Sequence, residues 1–158
     1  MKNKSPAAQL DGFVRKHSPA IAAETKRALA RMRTLVPGAL EIVYDNYNAL
    51  AIGFGPTERA SDAVFSIAVF PRWISLFFLQ AATELPDPHR LLKGSGKVAR
   101  HIVLGSAADL DRREIRSLIK IALARADPAI DKKGRRRIVI KSISTKQRPR
   151  RPRHRGQE

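Results

Sequence analysis

The stretch FSIAVFPRWISLFFL, Phe65 to Leu79, decides how this chain folds. Phe65 to Phe70 and Trp73 to Leu79 are dense in β-branched and aromatic residues, the composition of strands. Pro71-Arg72 lies between them, with proline suited to the second position of a turn. A hairpin centred there pairs Val69 with Ile74, Ile67 with Leu76 and Phe65 with Phe78. All six side chains are large and apolar, which makes this the core face. The other face pairs Phe70 with Trp73, Ala68 with Ser75 and Ser66 with Phe77. A slip of one residue would exchange the two faces. Burying the six apolar side chains is worth about 1.5–3 kcal/mol each before chain entropy is subtracted.

The flanking segments look built to cover this hairpin. Ser5-Pro6 and Ser18-Pro19 each open a helix, serine as cap and proline at the first helical position. Leu10, Phe13, Val14 and His17 follow the first. Ile21, Thr25, Ala28, Leu29, Met32, Leu35 and Val36 form the stripe of the second, which Pro37-Gly38 ends. Its other face carries Lys26, Arg27, Arg31 and Arg33, the pattern of an ordinary solvated face. Leu40 to Asn48 suits a helical turn or a strand. Asn48 to Phe54 reads as a strand, and Thr57 to Asp62 as the loop into the hairpin. Leu85-Pro86-Asp87-Pro88-His89 cannot be regular structure. Val98 to Leu104 reads as the last clear strand of the core. Ser106 and Asp109 suggest a capping-box start to a helix running to about Ala126. This order predicts an α+β domain over residues 1–127: two N-terminal helices, an antiparallel β-meander, and a C-terminal helix packed on one sheet face.

Residues 128–158 read as a basic, mostly disordered tail. Arg137 to Ile143 could form a short extra strand or stay extended. From Ser144 onward the arginines and prolines offer little to offset the entropy of ordering. The formal charge is +17 over 158 residues. Residues 132–158 hold 12 Lys or Arg against one acid, a net +11, so the preceding 131 residues carry +6. Lys132, Lys133, Arg135, Arg136, Arg137, Lys146, Arg148, Arg150, Arg151, Arg153 and Arg155 are therefore candidate nucleic-acid contacts. They would bind phosphate with little sequence preference and strong salt dependence.

Several chemistries find no support. With no cysteine there are no disulfides, zinc-thiolate sites or cysteine nucleophiles. His17, His89, His101 and His154 are not spaced as a metal pair on a helix. Lys93-Gly94-Ser95-Gly96-Lys97 is not a P-loop, because Leu91 stands at the first glycine position and Val98 where a Ser or Thr belongs. No nucleophile elbow or dinucleotide fingerprint appears. No stretch has the length and apolarity of a membrane span, and no secretory signal opens the chain, so a cytoplasmic protein is expected. Two clusters remain as a candidate ligand pocket over the mixed hairpin face. One is Tyr44, Asn46, Tyr47 and Asn48; the other is Lys93, Lys97 and Arg100 on or beside the glycine loop. With Phe70 and Trp73 they would receive an anionic small ligand, the loop from Thr83 to Gly96 serving as a mobile cover.

These segments also resemble the YdhG-like family, a domain of unknown function. The resemblance spans about Leu10 to Ala126. It rests on Val36-Pro37-Gly38, Glu41-Ile42-Val43-Tyr44, Asn48-Ala49-Leu50, the strand Phe65 to Phe70, Ile74-Ser75-Leu76-Phe77 and Gly94-Ser95-Gly96-Lys97. It implies a compact α+β domain with an antiparallel sheet and no known catalytic residues. Some members are called frataxin-like intracellular iron chaperones, which implies iron on carboxylates such as Asp11, Glu24, Asp109, Asp111 and Glu114. The expected function is a non-enzymatic binding module that takes nucleic acid through its tail, without a cofactor. The alternative is the iron chaperone.

Overall fold

The structure, a computed structural model, describes residues 4–152. The hairpin forms in the expected register. Strand β3 (Phe65–Val69) pairs with β4 (Ile74–Phe78) through Phe65–Phe78, Ile67–Leu76 and Val69–Ile74. The Phe70 N–H donates to the Trp73 carbonyl at 2.9 Å and closes a turn with Pro71-Arg72 at its tip. All six apolar partners are buried. Pro-Arg is not a dipeptide that imposes a tight hairpin, so the burial of one face fixes the register.

Around it lie β1 (Leu40–Asp45), β2 (Leu50–Gly55) and β5 (Arg100–Leu104). Each is antiparallel to its sequence neighbour, which gives the meander. A sixth strand, β6 (Ile138–Ile143), runs parallel to β1, so the sheet order is β5-β4-β3-β2-β1-β6. The sheet is therefore mixed rather than purely antiparallel. The boundary expected at residues 127/128 does not separate a tail from a domain, because the segment after it completes the sheet.

Helices α1 (Pro6–Arg15), α2 (Pro19–Leu35) and α3 (Arg113–Arg125) contribute their apolar stripes to the core with the strand row Val43, Ile52, Ile67, Leu76 and Ile102. Ser5 accepts from the Ala8 N–H and Ser18 from the Ile21 N–H, as the Ser-Pro pairs imply. The third helix starts later than expected. Ala107–Asp111 is a 3-10 turn, and Ser106 makes no side-chain cap. Asp109 instead accepts from the Gly105 N–H, and Glu24 of α2 takes the Ala107 N–H.

The C-terminal segment is ordered by two carboxylates on the core face of β1. Glu41 is fully buried and accepts two bonds from Arg33, each at 2.8 Å, and one from Arg136 at 3.1 Å. Asp45, also fully buried, receives Lys16 Nζ at 2.7 Å and Arg150 at 3.0 Å. Gln147 donates to the Asp45 backbone carbonyl. A desolvated carboxylate needs such charge-assisted partners. Two of the tail arginines supply them, and this replaces the disorder expected from Ser144 to Pro152. The rest of that expectation, with Arg153, His154 and Arg155, lies outside the described residues.

Candidate polyanion-binding surface

The expected pocket is not assembled. Phe70 and Trp73 lie beyond Val69 and Ile74, at the sheet end where β5 finishes at Leu104. Arg100 pairs with Phe78 at the opposite end, four residues or roughly 13 Å along the strands. Lys93 exchanges backbone hydrogen bonds with His101, so the glycine loop extends the outer edge of β5 instead of covering the sheet. Lys97 is tied by its carbonyl to Thr83. Asn46, Tyr47 and Asn48 form the β1–β2 turn, at the same end as Trp73 but three strands away. Tyr44 follows on β1, with its hydroxyl buried and unpartnered among the described residues.

Of the eleven C-terminal candidate cations, the nine within the described residues divide by role. Arg136 and Arg150 hold Glu41 and Asp45, and Arg137 lies 3.7 Å from Glu58. Arg151 donates to the carbonyls of Lys16 and Arg15. Arg148 sits 5.7 Å from the centroid of the Tyr47 ring. Lys132, Lys133, Arg135 and Lys146 are exposed and have no ion pair among the described residues. The basic face of α2 proves to be a row of ion pairs: Lys26 with Asp11, Arg27 with Glu24, Arg31 with Asp111 and Arg33 with Glu41.

The surface the sequence did not single out is a groove of about 870 Å³ between α2 and α3. Its floor is Leu35, Pro37, Ile119 and Leu123. Its walls carry Arg31, Arg113, Arg116, Lys120 and Lys132, against one acid, Asp111, which is bound to Arg31. Arg113, Arg116 and Lys120 recur at i, i+3 and i+7 and so share a helix face, beside the buried stripe of Ile115, Leu118, Ile119 and Ala122. That spacing is the one signal the sequence carries for the groove, and the apolar stripe of α3 is the stronger pattern beside it. Lys132 arrives through a close approach of two loops. Gly38 has φ +82°, and a Cβ there would lie 2.0 Å from the Asp131 carbonyl oxygen, so only glycine admits this packing. The four cations Arg113, Arg116, Lys120 and Lys132 have no carboxylate partner among the described residues, which leaves their charge for a ligand.

The carboxylates suggested for iron are dispersed and engaged. Asp11 is held below the ordinary carboxylate range by hydrogen bonds from Arg15 and Lys26, and Glu114 by one from Arg112. Asp111, Glu24 and Asp109 are taken up by Arg31, Arg27 and backbone N–H groups. Among the described residues no three His, Cys, Asp or Glu side chains come together as a metal site. Nor is any helix there long and apolar enough to cross a membrane. No family model, curated protein or solved structure matches this chain.

Proposed function

We propose that this chain is a non-enzymatic binding module for nucleic acid, and that the α2–α3 groove takes its phosphates. The observation that carries this is the set of four cations without a carboxylate partner among the described residues, Arg113, Arg116, Lys120 and Lys132, around one concavity with a single neutralised acid. Lys133 and Arg135 continue the basic track along the exposed chain beyond Lys132. Arginine and lysine bind phosphate oxygens and release condensed counterions, which gives affinity with little dependence on base sequence. The formal charge of +17 favours encounter with any polyanion.

Fluorescence anisotropy with a labelled duplex, at about 50 and about 200 mM salt, tests the proposal. Binding should weaken steeply with salt. Arg116→Glu combined with Lys120→Glu should lower affinity and flatten the plot of log K against log salt by about one unit for each phosphate no longer neutralised. Wild-type affinity and slope in that variant would remove the groove from the function.

A further inference from the structure

We infer that the sheet face turned away from the helices is a base-stacking platform for single-stranded nucleic acid. This rests on the reading that nucleic acid is the ligand, but it uses different residues on the opposite side of the sheet. All three helices join the core on the face of Ile52, Ile67 and Leu76. On the other face Ala63 packs over Gly53 and Gly55, where a Cβ on Gly55 would lie 2.9 Å from Ala63 Cα. Ile42, Ala68 and Ser75 are buried among their neighbours there. What this face presents to solvent is therefore its aromatic ridge, with Trp73 exposed and Phe70, Phe77 and His101 half-buried. The ridge consists of two stacked pairs. Phe70 and Trp73 have ring centroids 4.9 Å apart and planes 23° from parallel. Phe77 and His101 have centroids 5.0 Å apart and planes at 27°.

Between the pairs Ala68 and Ser75 lie directly opposite each other on β3 and β4, buried at the base of the ridge, so a base would rest on the aromatic rings that flank them. Trp73, Ser75 and Phe77 alternate along one strand and so project from the same face, with about 13 Å between the two aromatic positions. Trp73 is 42% exposed, although a tryptophan next to a core would ordinarily be covered. Cations stand at the rim: Arg72 at the hairpin tip, and Lys93, whose pairing with His101 places it on the same face. Flat aromatic rings offer π-faces to unstacked bases, and flanking cations follow the backbone. A duplex keeps its bases stacked inside and presents no such face, so the platform selects single strands. The charge of the chain favours this occupant over a second copy, which would bring a further +17 onto the same face.

Trp73 is the only tryptophan, so its fluorescence reports this face alone. The full chain is titrated with an oligothymidylate and an oligouridylate of about 12 nucleotides, and with a duplex of equal length. The single strands should quench Trp73 and the duplex should not. Trp73→Leu and Phe77→Leu keep apolar bulk while removing the π-face. By anisotropy each should weaken single-strand binding about tenfold and leave duplex binding unchanged. Circular dichroism confirms that each variant is folded. Undiminished single-strand affinity in both folded variants overturns the platform, as does equal quenching by duplex. A dimer in sedimentation that shields Trp73 assigns the face to a second copy and also overturns it. Duplex binding with no Trp73 response to either single strand defeats the platform and leaves the groove standing, whereas failure to bind any of the probes defeats both.

Discussion

Arg150 and Arg116 are both arginines of a strongly basic chain, yet they live in opposite circumstances. The Arg150 side chain is 4% exposed and bonds to Asp45, a carboxylate with no exposure at all. Arg116 lies exposed on the wall of the α2–α3 groove with no carboxylate beside it among the described residues. The first is part of the framework and the second is available to a ligand. What separates them is not the residue type, nor the local density of charge, but whether the fold buries an acid within reach. A run of arginines is thus a poor guide to a binding surface until the buried carboxylates have taken their share.

The sharpest way to test this contrast is to remove the framework cations together. A chain ending at Asp131 loses β6, Arg136 and Arg150, and leaves Glu41 and Asp45 buried with fewer partners. It should fail to fold cooperatively, which circular dichroism and urea denaturation would reveal; a well-folded truncated chain would return the segment to the status of a tail. Next in size is Asp45→Ala. It strands a buried Arg150 and should cost about 3–5 kcal/mol by urea denaturation. Glu41→Ala should cost less, because the side chains of Arg33 and Arg136 are 30% and 49% exposed and can return to water. Equal losses for the two would mean that exposure of the stranded partner does not govern the cost.

The two faces of the hairpin offer a smaller test. Ile67→Trp overpacks the core and should destabilise by about 1–3 kcal/mol. Ala68, although buried, projects from the opposite face and lies outside the core cluster that holds Ile67, so Ala68→Trp should cost less than Ile67→Trp; the reverse order would exchange the faces. On the ligand side of the contrast, the groove pair Arg116→Glu and Lys120→Glu should change stability by no more than about 0.5 kcal/mol, in keeping with its solvent position.

The smallest effect expected is on the pH profile. His17 is buried, donates from Nδ1 to the Val14 carbonyl, which can only accept, and has no partner for Nε2 among the described residues. Burial holds its pKa below the ordinary 6.5, against the hydrogen bond to Val14, and the charge of Arg150 adds to the depression. The unfolded chain therefore takes up a proton before the folded one does. Stability is complete above pH 6.5 and declines as pH falls below it, through the folded value. For Asp45, burial alone would raise the pKa, but the hydrogen bonds from Lys16, Gln147 and Arg150 together carry it below the ordinary 3.8. Its contribution holds above pH 3.8 and is lost as pH falls through the folded value. Denaturant midpoints measured across this range should show the first decline disappear in His17→Phe while the second persists.

The chain by itself determined what depends on neighbours in sequence. The two Ser-Pro helix starts are local capping chemistry. The hairpin register follows from which alternate positions of Phe65 to Phe78 are apolar. The α+β order follows from successive periodicities, and the antiparallel pairing of β1 with β2 and of β3 with β4 from turns too short to allow a crossover, whereas the long β4–β5 connection leaves that pairing to the fold. The tertiary structure decided what depends on distant partners. Ile138–Ile143 is a strand because β1 offers a parallel edge, and no local pattern announces a partner nearly a hundred residues away. Arg136 and Arg150 look like every other tail arginine until Glu41 and Asp45 are seen buried beside them. The proposed pocket came apart because the glycine loop and the hairpin tip are close in sequence but sit at opposite ends of antiparallel strands. The groove needed α2, α3 and the loop at Gly38 to meet, since charge density can be read along a chain, whereas unpaired charge is a property of its three-dimensional surroundings.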